Sequence, residues 1–154
     1  MNEYLKPVFE ILLRSLGKAR VDYWVYGGVG IAACAGMFIR ENKDVDIFVI
    51  DGYFERAKAV LNDLCKQNGF KFKPGSQKKG DRPKVEVEID GIERFSMIPV
   101  YQKGEVVVFK YKDGDQEYPN QILERLGRNK SDCVFFTPRD EFIKGDGYKT
   151  LFLV

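Results

Sequence analysis

Two aspartates separated by one residue, Asp44 and Asp46, are the side chains in this sequence best placed to do chemistry. Residues at positions i and i+2 of a β-strand point to the same face, about 7 Å apart along the backbone, so their oxygens can converge on divalent cations. Two cations held roughly 3.5 to 4 Å apart can polarise a phosphate and stabilise its attacking and leaving oxygens together. The aspartate pair therefore predicts a metal-dependent site for phosphate chemistry.

Two adjacent glycines, Gly27 and Gly28, precede these acids. A glycine has no Cβ, so a phosphate can approach its backbone closely, and the amide groups that open a helix attract anions. Arg40 and Lys43 stand between the glycines and the aspartates, where they either neutralise phosphate charge or belong to a solvated loop. Glycines followed by acids indicate a site for a metal-bound nucleotide.

The segments around these motifs supply the elements that position them. The range 21–26 is rich in β-branched and aromatic residues and predicts a strand that runs into the glycines. The small apolar residues of 29–37 predict a short buried helix after them. In 44–49, aliphatic residues alternate with Asp44, Asp46 and Phe48, which predicts a strand with one aliphatic and one acidic face.

Other periodicities indicate how these elements are covered. Apolar residues recur at helical spacing in 5–16, with Asn2 placed to cap the helix, and again in 53–68. Asp90-Gly91 predicts a hairpin between strands at 84–89 and 92–100. The remaining predictions are a basic loop at 74–83, a strand at 105–111, a helix at 119–126, a strand at 134–136, and a last helix that starts at Thr137-Pro138 and stops near Lys144. Together they predict an α/β (α+β) protein, with a single mixed β-sheet flanked by helices in one domain over residues 1–154.

Composition limits the kind of site this chain can build. It contains 154 residues, 25 Lys plus Arg, 23 Asp plus Glu, three cysteines and no histidine. Without histidine, neither a Ser-His-Asp triad nor an HExxH zinc site is possible. The cysteines are odd in number and widely spaced, which favours neither disulfides nor thiolate zinc sites. We expect a cytoplasmic protein without a membrane span, whose net charge of +2 gives no electrostatic preference for nucleic acid.

The motifs at 23–50 resemble the nucleotidyltransferase superfamily of the polymerase beta type, and most closely its small aminoglycoside or lincosamide enzymes and AbiEii-type toxins. A hydrophobic strand, the glycine pair, a helix of small residues, Arg40, and the Asp-x-Asp of Asp44 and Asp46 follow one another in the family's order. The resemblance implies a minimal nucleotidyltransferase fold, in which Gly27 and Gly28 contact a triphosphate and the two aspartates hold Mg2+ or Mn2+.

The resemblance also implies a third carboxylate on a later strand, as a metal ligand or as the base for the acceptor hydroxyl. Glu86 and Glu88 share one face of the strand before Asp90-Gly91, and Glu88 is the choice here because it lies next to the turn. In the strand after that turn, the stretch from Arg94 to Ile98 supplies no acid.

The expected activity is the transfer of a nucleoside monophosphate from an NTP, with ATP preferred, to a hydroxyl group with release of pyrophosphate. A small-molecule acceptor is favoured because the net charge is near neutral. The alternatives are a toxin-like enzyme that acts on tRNA and a non-catalytic nucleotide-binding or antitoxin-like partner. A homodimer is a further expectation.

Overall fold

A computed structural model of the chain describes residues 2–35, 37–75, 82–111, 113–124 and 142–144. The N-terminal segment of the described chain is helical. The segment contains a 3-10 turn at Glu3–Leu5, a π-helical stretch at Val8–Leu13 and an α-helix, α1, at Arg14–Lys18. The predicted helix is confirmed, because its apolar residues lie on one buried face. The predicted N-cap is wrong, since the side chain of Asn2 makes no capping hydrogen bond.

The motif-bearing elements follow directly. Strand β1, Trp24–Tyr26, runs without a loop into helix α2, Gly27–Ala35. Strand β2, Val45–Ile50, leads through a 3-10 turn into helix α3, Phe54–Asn68. Helix α3 ends where Gly69 adopts a left-handed conformation, which a glycine reaches without a steric penalty.

The later part of the described chain is mostly β-structure. Asp90 and Gly91 both have positive φ, at 54° and 79°, as a two-residue type I′ hairpin requires. The predicted hairpin is therefore confirmed. The strands and the 3-10 helix of this part are β3 (Lys71–Lys73), β4 (Val85–Ile89), β5 (Ile92–Lys103), β6 (Val106–Tyr111), β7 (Gly114–Pro119), a 3-10 helix (Asn120–Glu124) and β8 (Phe142–Lys144).

The strands of the described residues form a mixed sheet in the order β3-β4-β5-β2-β1-β8, which confirms the predicted mixed sheet. Strands β2 and β5 are parallel, and the other pairs are antiparallel. Strand β6 pairs with the far end of β5 and with β7. The acid-bearing strand β2 therefore lies inside the sheet, between β5 and β1.

Each face of this sheet carries its own hydrophobic core. The aliphatic side chains of β1, β2, β4 and β5 pack against the N-terminal helical segment, α2 and α3 on one face. On the opposite face, Trp24 and Phe48 pack with residues of β6, β7 and the 3-10 helix. The ring of Phe109 meets that of Phe48 edge to face, with 4.8 Å between centroids. The β6–β7 hairpin thus covers part of the face that also carries the aspartates.

Of two helix predictions, one is confirmed in part and the other is wrong where the structure describes their residues. In the range 119–126, Pro119 ends β7 and Asn120–Glu124 form a 3-10 helix, whereas residues 142–144 form β8 rather than a helix that ends at Lys144. Pairing with β1 overrides the local helical signal of 142–144. The strand predicted at 134–136 and the helix start at Thr137-Pro138 lie outside the described residues.

The basic loop predicted at 74–83 is described only at its ends. Arg82 donates a hydrogen bond from Nη1 to the Lys110 carbonyl oxygen at 3.1 Å. In the described part of the chain, every helix is too short or too polar to cross a membrane.

Candidate functional site

The two aspartates lie at the beginning of β2. Asp44 immediately precedes the strand, and Asp46 is its second residue, on the face opposite the buried Val45 and Ile47. The sheet register places Asp46 directly between Tyr26 of β1 and Ser96 of β5. The Ser96 hydroxyl donates a hydrogen bond to Oδ1 of Asp46. A buried neighbour on the next strand therefore fixes one carboxylate oxygen of Asp46.

Both carboxyl groups of this pair hold their protons more tightly than ordinary aspartates. Burial, followed by the negative charge of Asp44, raises the pKa of Asp46 to about 6, while the Ser96 hydrogen bond opposes the rise. Burial also raises the pKa of Asp44, against the opposing positive charges of Lys43 and Lys84. Repulsion between the aspartates contributes, but desolvation is the larger cause. A bound divalent cation would relieve both penalties.

The glycine turn lies against Asp46. Gly27 has a φ of +70°, and a Cβ on this residue would be 2.9 Å from Oδ2 of Asp46. Because Gly27 is also the first residue of α2, the beginning of this helix faces the carboxylate. The structure thus brings together the predicted phosphate-binding turn and a predicted metal ligand.

Gly28 is covered by two side chains from the loop before β2. A Cβ on Gly28 would clash with Oδ1 of Asn42, and it would be 2.8 Å from Nη2 of Arg40. The guanidinium group of Arg40 therefore lies at the first turn of α2, where helix amides attract anions. Gly27, Gly28 and Arg40, three of the predicted nucleotide-binding residues, are neighbours in space.

Lys43, the fourth predicted nucleotide-binding residue, is exposed next to Asp44. Its backbone carbonyl accepts a hydrogen bond from Nη1 of Arg94 at 3.0 Å. The Arg94 guanidinium also lies over the ring of Tyr4, 4.0 Å from its centroid. Arg94 thus ties the backbone ahead of Asp44 to β5 and to the N-terminal segment.

The two candidates for a third carboxylate occupy different positions on β4. Glu86 pairs with Ser96, which pairs with Asp46, so the three residues form one row across the sheet. Glu88 lies one step farther along β4, where Oε1 is 3.2 Å from Nζ of Lys73 and Oε2 is 3.9 Å from Nζ of Lys71. The hydrogen bond and ion pairs given for Glu88 are with these lysines, and its catalytic role stays a prediction.

Glu93 is an acid of β5 that the sequence reading missed. The β4–β5 register shifts between Val87 and Glu88, so that Glu93 lies opposite Glu88. This bulge turns Glu93 to the face that carries Glu86 and Asp46. A hydrogen bond between the side chains of Glu86 and Glu93 lowers the pKa of Glu86, and burial together with that bond raises the pKa of Glu93. Regular alternation along β5 would not have revealed this placement.

The donor set suits a cation that is shared with a ligand. Among the described residues, no three Asp, Glu or Cys side chains are gathered closely enough to hold a metal ion by themselves. Asp44 and Asp46 offer carboxylate oxygens, which Mg2+ prefers, and Mg2+ often combines one or two carboxylates with substrate phosphates and water. The residues present therefore fit Mg2+ bound together with a triphosphate, with Asp44 and Asp46 as the protein ligands.

Comparison with known sequences points to one family. The sequence profile of the aminoglycoside-2''-adenylyltransferases matches residues 8–95, which include the glycine turn, both aspartates and the acids of β4. No curated protein shows a significant match to the chain.

Comparison with solved structures shows the same fold. LnuA, a lincosamide antibiotic adenylyltransferase solved with lincomycin, is 19% identical, with a TM-score of 0.53 over 75% of this chain and 68% of that one. ANT(2'')-Ia in complex with adenylyl-2''-tobramycin is 16% identical, with a TM-score of 0.50 over 68% of this chain. A Thermotoga maritima protein provisionally assigned as a nucleotidyltransferase is 19% identical, with a TM-score of 0.51 over 95% of this chain and 80% of its own length. The match spans only 53% of ANT(2'')-Ia.

Proposed function

Because the chain belongs to the aminoglycoside-2''-adenylyltransferase family of nucleotidyltransferases, we propose that it transfers a nucleoside monophosphate from an NTP, with ATP preferred, to a hydroxyl group and releases pyrophosphate. The observation that carries this proposal is how closely the Gly27 backbone approaches the Asp46 carboxylate. A Cβ on Gly27 would be 2.9 Å from Oδ2 of Asp46. A helix start that attracts phosphate and a carboxylate that attracts Mg2+ are thereby placed side by side.

Each group of this site has a distinct task in the proposed reaction. The beginning of α2 and Arg40 bind the β and γ phosphates, and Lys43 adds positive charge beside Asp44. Asp44 and Asp46 would hold Mg2+, and the cation would supply the positive charge that neutralises the phosphates and polarises the one under attack. Ser96 keeps Oδ1 of Asp46 in place. The acceptor hydroxyl attacks the α phosphate, its proton passes to a nearby carboxylate, and pyrophosphate leaves.

Proximity favours Glu86 over Glu88 as the carboxylate that assists the acceptor. Glu86 shares a row with Ser96 and Asp46, and its negative charge contributes to the raised pKa of Asp44. Both glutamates have lysine partners, Lys73 and Lys84 for Glu86 and Lys73 and Lys71 for Glu88, so the shared row is what distinguishes Glu86. Glu86→Gln should therefore reduce transfer by roughly a hundredfold, the scale of a lost general base, while Glu88→Gln serves as the matched variant on the same strand face. A loss confined to Glu88→Gln would restore Glu88 to this role.

The test of the activity is transfer of the α phosphate. Wild-type protein with Mg2+ and ATP labelled at the α phosphate should pass the label to a hydroxyl acceptor and release pyrophosphate. Aminoglycosides, lincosamides and tRNA form the acceptor panel. We propose a small-molecule acceptor, since the chain carries a net charge of only +2. Labelling of tRNA alone, with a strong dependence on salt, would assign the toxin-like activity instead.

One observation favours a non-catalytic alternative. The residue next to Asp46 on β5 is Ser96, a hydroxyl at a position from which an acid could have reached a shared metal. Two aspartates suffice to bind Mg-ATP, whereas transfer also needs a group that takes the acceptor proton. Protein that binds Mg-ATP but labels no acceptor would therefore be a nucleotide-binding partner with this fold.

A further inference from the structure

Two buried asparagines connect the start of the chain to the loop before β2. Asn2 and Asn42 are only 1% and 4% exposed, whereas asparagines are mostly found on protein surfaces. The Asn2 side chain accepts a hydrogen bond from the Asn42 amide at 2.7 Å and donates one to the Arg40 carbonyl at 3.0 Å. Asn42 Nδ2 donates to the same carbonyl at 3.1 Å. The backbone of Arg40 is thus held by two side-chain donors.

The opposite side of Asn42 contacts the glycine turn. Its Oδ1 fills the space that a Cβ on Gly28 would need, beside the Arg40 guanidinium. Tyr4 supports Asn42 from the other side, since the Tyr4 hydroxyl donates to the Asn42 carbonyl at 2.7 Å. The network therefore extends from Asn2 through Asn42 to the first turn of α2.

The residue type at position 2 fits this placement. Asn2 has a φ of 66°, a left-handed conformation that asparagine tolerates better than most residues. This position begins a helical segment, where its side chain makes no capping hydrogen bond and its Oδ1 accepts only from the Tyr4 hydroxyl, at 3.4 Å. Its two shorter hydrogen bonds reach residues 38 and 40 positions later in the sequence.

We propose that Asn2 and Asn42 are positioning residues for the nucleotide, which fix the Arg40 guanidinium at the Gly28 turn so that it meets the β and γ phosphates. Arg40 lies in the loop before β2, and a free loop backbone would have to be ordered before the guanidinium could make charge-assisted hydrogen bonds to phosphate. Anchoring its backbone at two points reduces that cost before the nucleotide arrives. This inference rests on the proposed binding of a triphosphate at the same turn.

The test is a double-mutant cycle on nucleotide affinity. Asn2→Gly removes all three hydrogen bonds of the Asn2 side chain, tolerates the positive φ and adds no charge near the phosphates. Binding of Mg-ATP and of AMP is measured by calorimetry for wild type, Asn2→Gly, Arg40→Gln and the double variant, well below their melting temperatures. Asn120→Ala is the matched control, because it removes an asparagine hydrogen bond to the Gly104 carbonyl, just past the end of β5. If Asn2→Gly does not fold, Asn42→Ser takes its place in the cycle.

We expect Arg40→Gln to weaken Mg-ATP binding roughly tenfold and Asn2→Gly to weaken it roughly three- to tenfold. In the double variant, Asn2→Gly should weaken Mg-ATP binding by less than about twofold beyond the effect of Arg40→Gln, since it acts through Arg40. Binding of AMP, which lacks the β and γ phosphates, should remain unchanged in every variant, as should Mg-ATP binding by Asn120→Ala.

Three results would overturn the inference and leave the proposed function intact. The first is that Asn2→Gly binds Mg-ATP as tightly as wild type. The second is that Asn2→Gly weakens Mg-ATP binding equally whether residue 40 is Arg or Gln. The third is that the affinities for ATP and AMP fall together, which would indicate general structural damage. Wild-type protein that binds no Mg-ATP would instead overturn the proposed function, and this inference with it.

Discussion

Asp46 is in an environment that suits a metal ligand better than a free carboxylate. It is half-buried, lies beside Asp44 and receives a hydrogen bond from Ser96. Burial raises its pKa to about 6, so ionisation at neutral pH reduces the stability of the metal-free protein. A bound cation would compensate the negative charge of Asp46 and so offset this loss of stability.

This environment predicts how Asp46→Asn changes stability with pH. In the unfolded chain Asp46 should titrate near 3.9, whereas its folded pKa is about 6. The folded protein therefore binds the proton more tightly, and stability from this group falls as pH rises from about 4 through 6. In buffer with EDTA, Asp46→Asn should raise the free energy of unfolding by roughly 1 to 3 kcal/mol at pH 8 and change it little at pH 4. A variant that is less stable than wild type in urea at pH 8 would contradict this account.

The Gly28 turn gives a second prediction at the residue scale. A Cβ there would clash with Asn42 and lie 2.8 Å from Arg40, so Gly28→Ala should lower the free energy of unfolding by roughly 1 to 3 kcal/mol and weaken Mg-ATP binding roughly tenfold. Gly17→Ala is the control, because no described atom lies within 4 Å of its added Cβ. That helical substitution should raise stability by roughly 0.5 to 1 kcal/mol and leave ATP binding unchanged. Equal effects of the two substitutions on ATP binding would argue against a nucleotide at the turn.

Local sequence signals predict the elements that are determined by residues close together in the sequence. The apolar stripe of α3, the Asp90-Gly91 hairpin and the alternation along β2 each follow from the spacing of their own residues, and the structure confirms all three. Strand β7 is not predicted because four of its six residues, Gly114, Asp115, Glu117 and Pro119, are of types depleted in strands, and its pairing with β6 is not visible in the local sequence. The hydrogen bonds of Asn2 and the bulge that turns Glu93 depend on distant partners, which sequence spacing does not show.

The hairpin between β4 and β5 predicts a backbone effect at the element scale. Gly91 has a φ of 79°, so Gly91→Ala should lower the free energy of unfolding by roughly 1 to 2 kcal/mol in urea titrations. Gly52→Ala in the 3-10 turn after β2 is the matched control, since no described atom lies within 4 Å of its added Cβ. We expect little change there. Similar losses of stability in both variants would mean that the positive φ of Gly91 is not their cause.

At the scale of the whole molecule, the two faces of the sheet have different tasks. Helices cover one face with an aliphatic core, and the β6–β7 hairpin covers part of the other with aromatic residues such as Phe48 and Phe109. The rest of that second face carries the row of Glu86, Ser96 and Asp46. A stable core behind the strands thus holds polar groups in register on the side where the proposed nucleotide binds.

The most direct test of this account is calorimetric titration of ATP into the protein with and without Mg2+. It asks whether Asp44 and Asp46 hold the metal of a nucleotide bound at the Gly27-Gly28 turn. Wild-type protein should bind ATP at least roughly tenfold more tightly with Mg2+ than without it, and the Asp44→Asn plus Asp46→Asn protein should lose that gain while remaining folded. An undiminished Mg2+ effect in the double variant would contradict the claim, because the metal-bound nucleotide would then be held without these carboxylates.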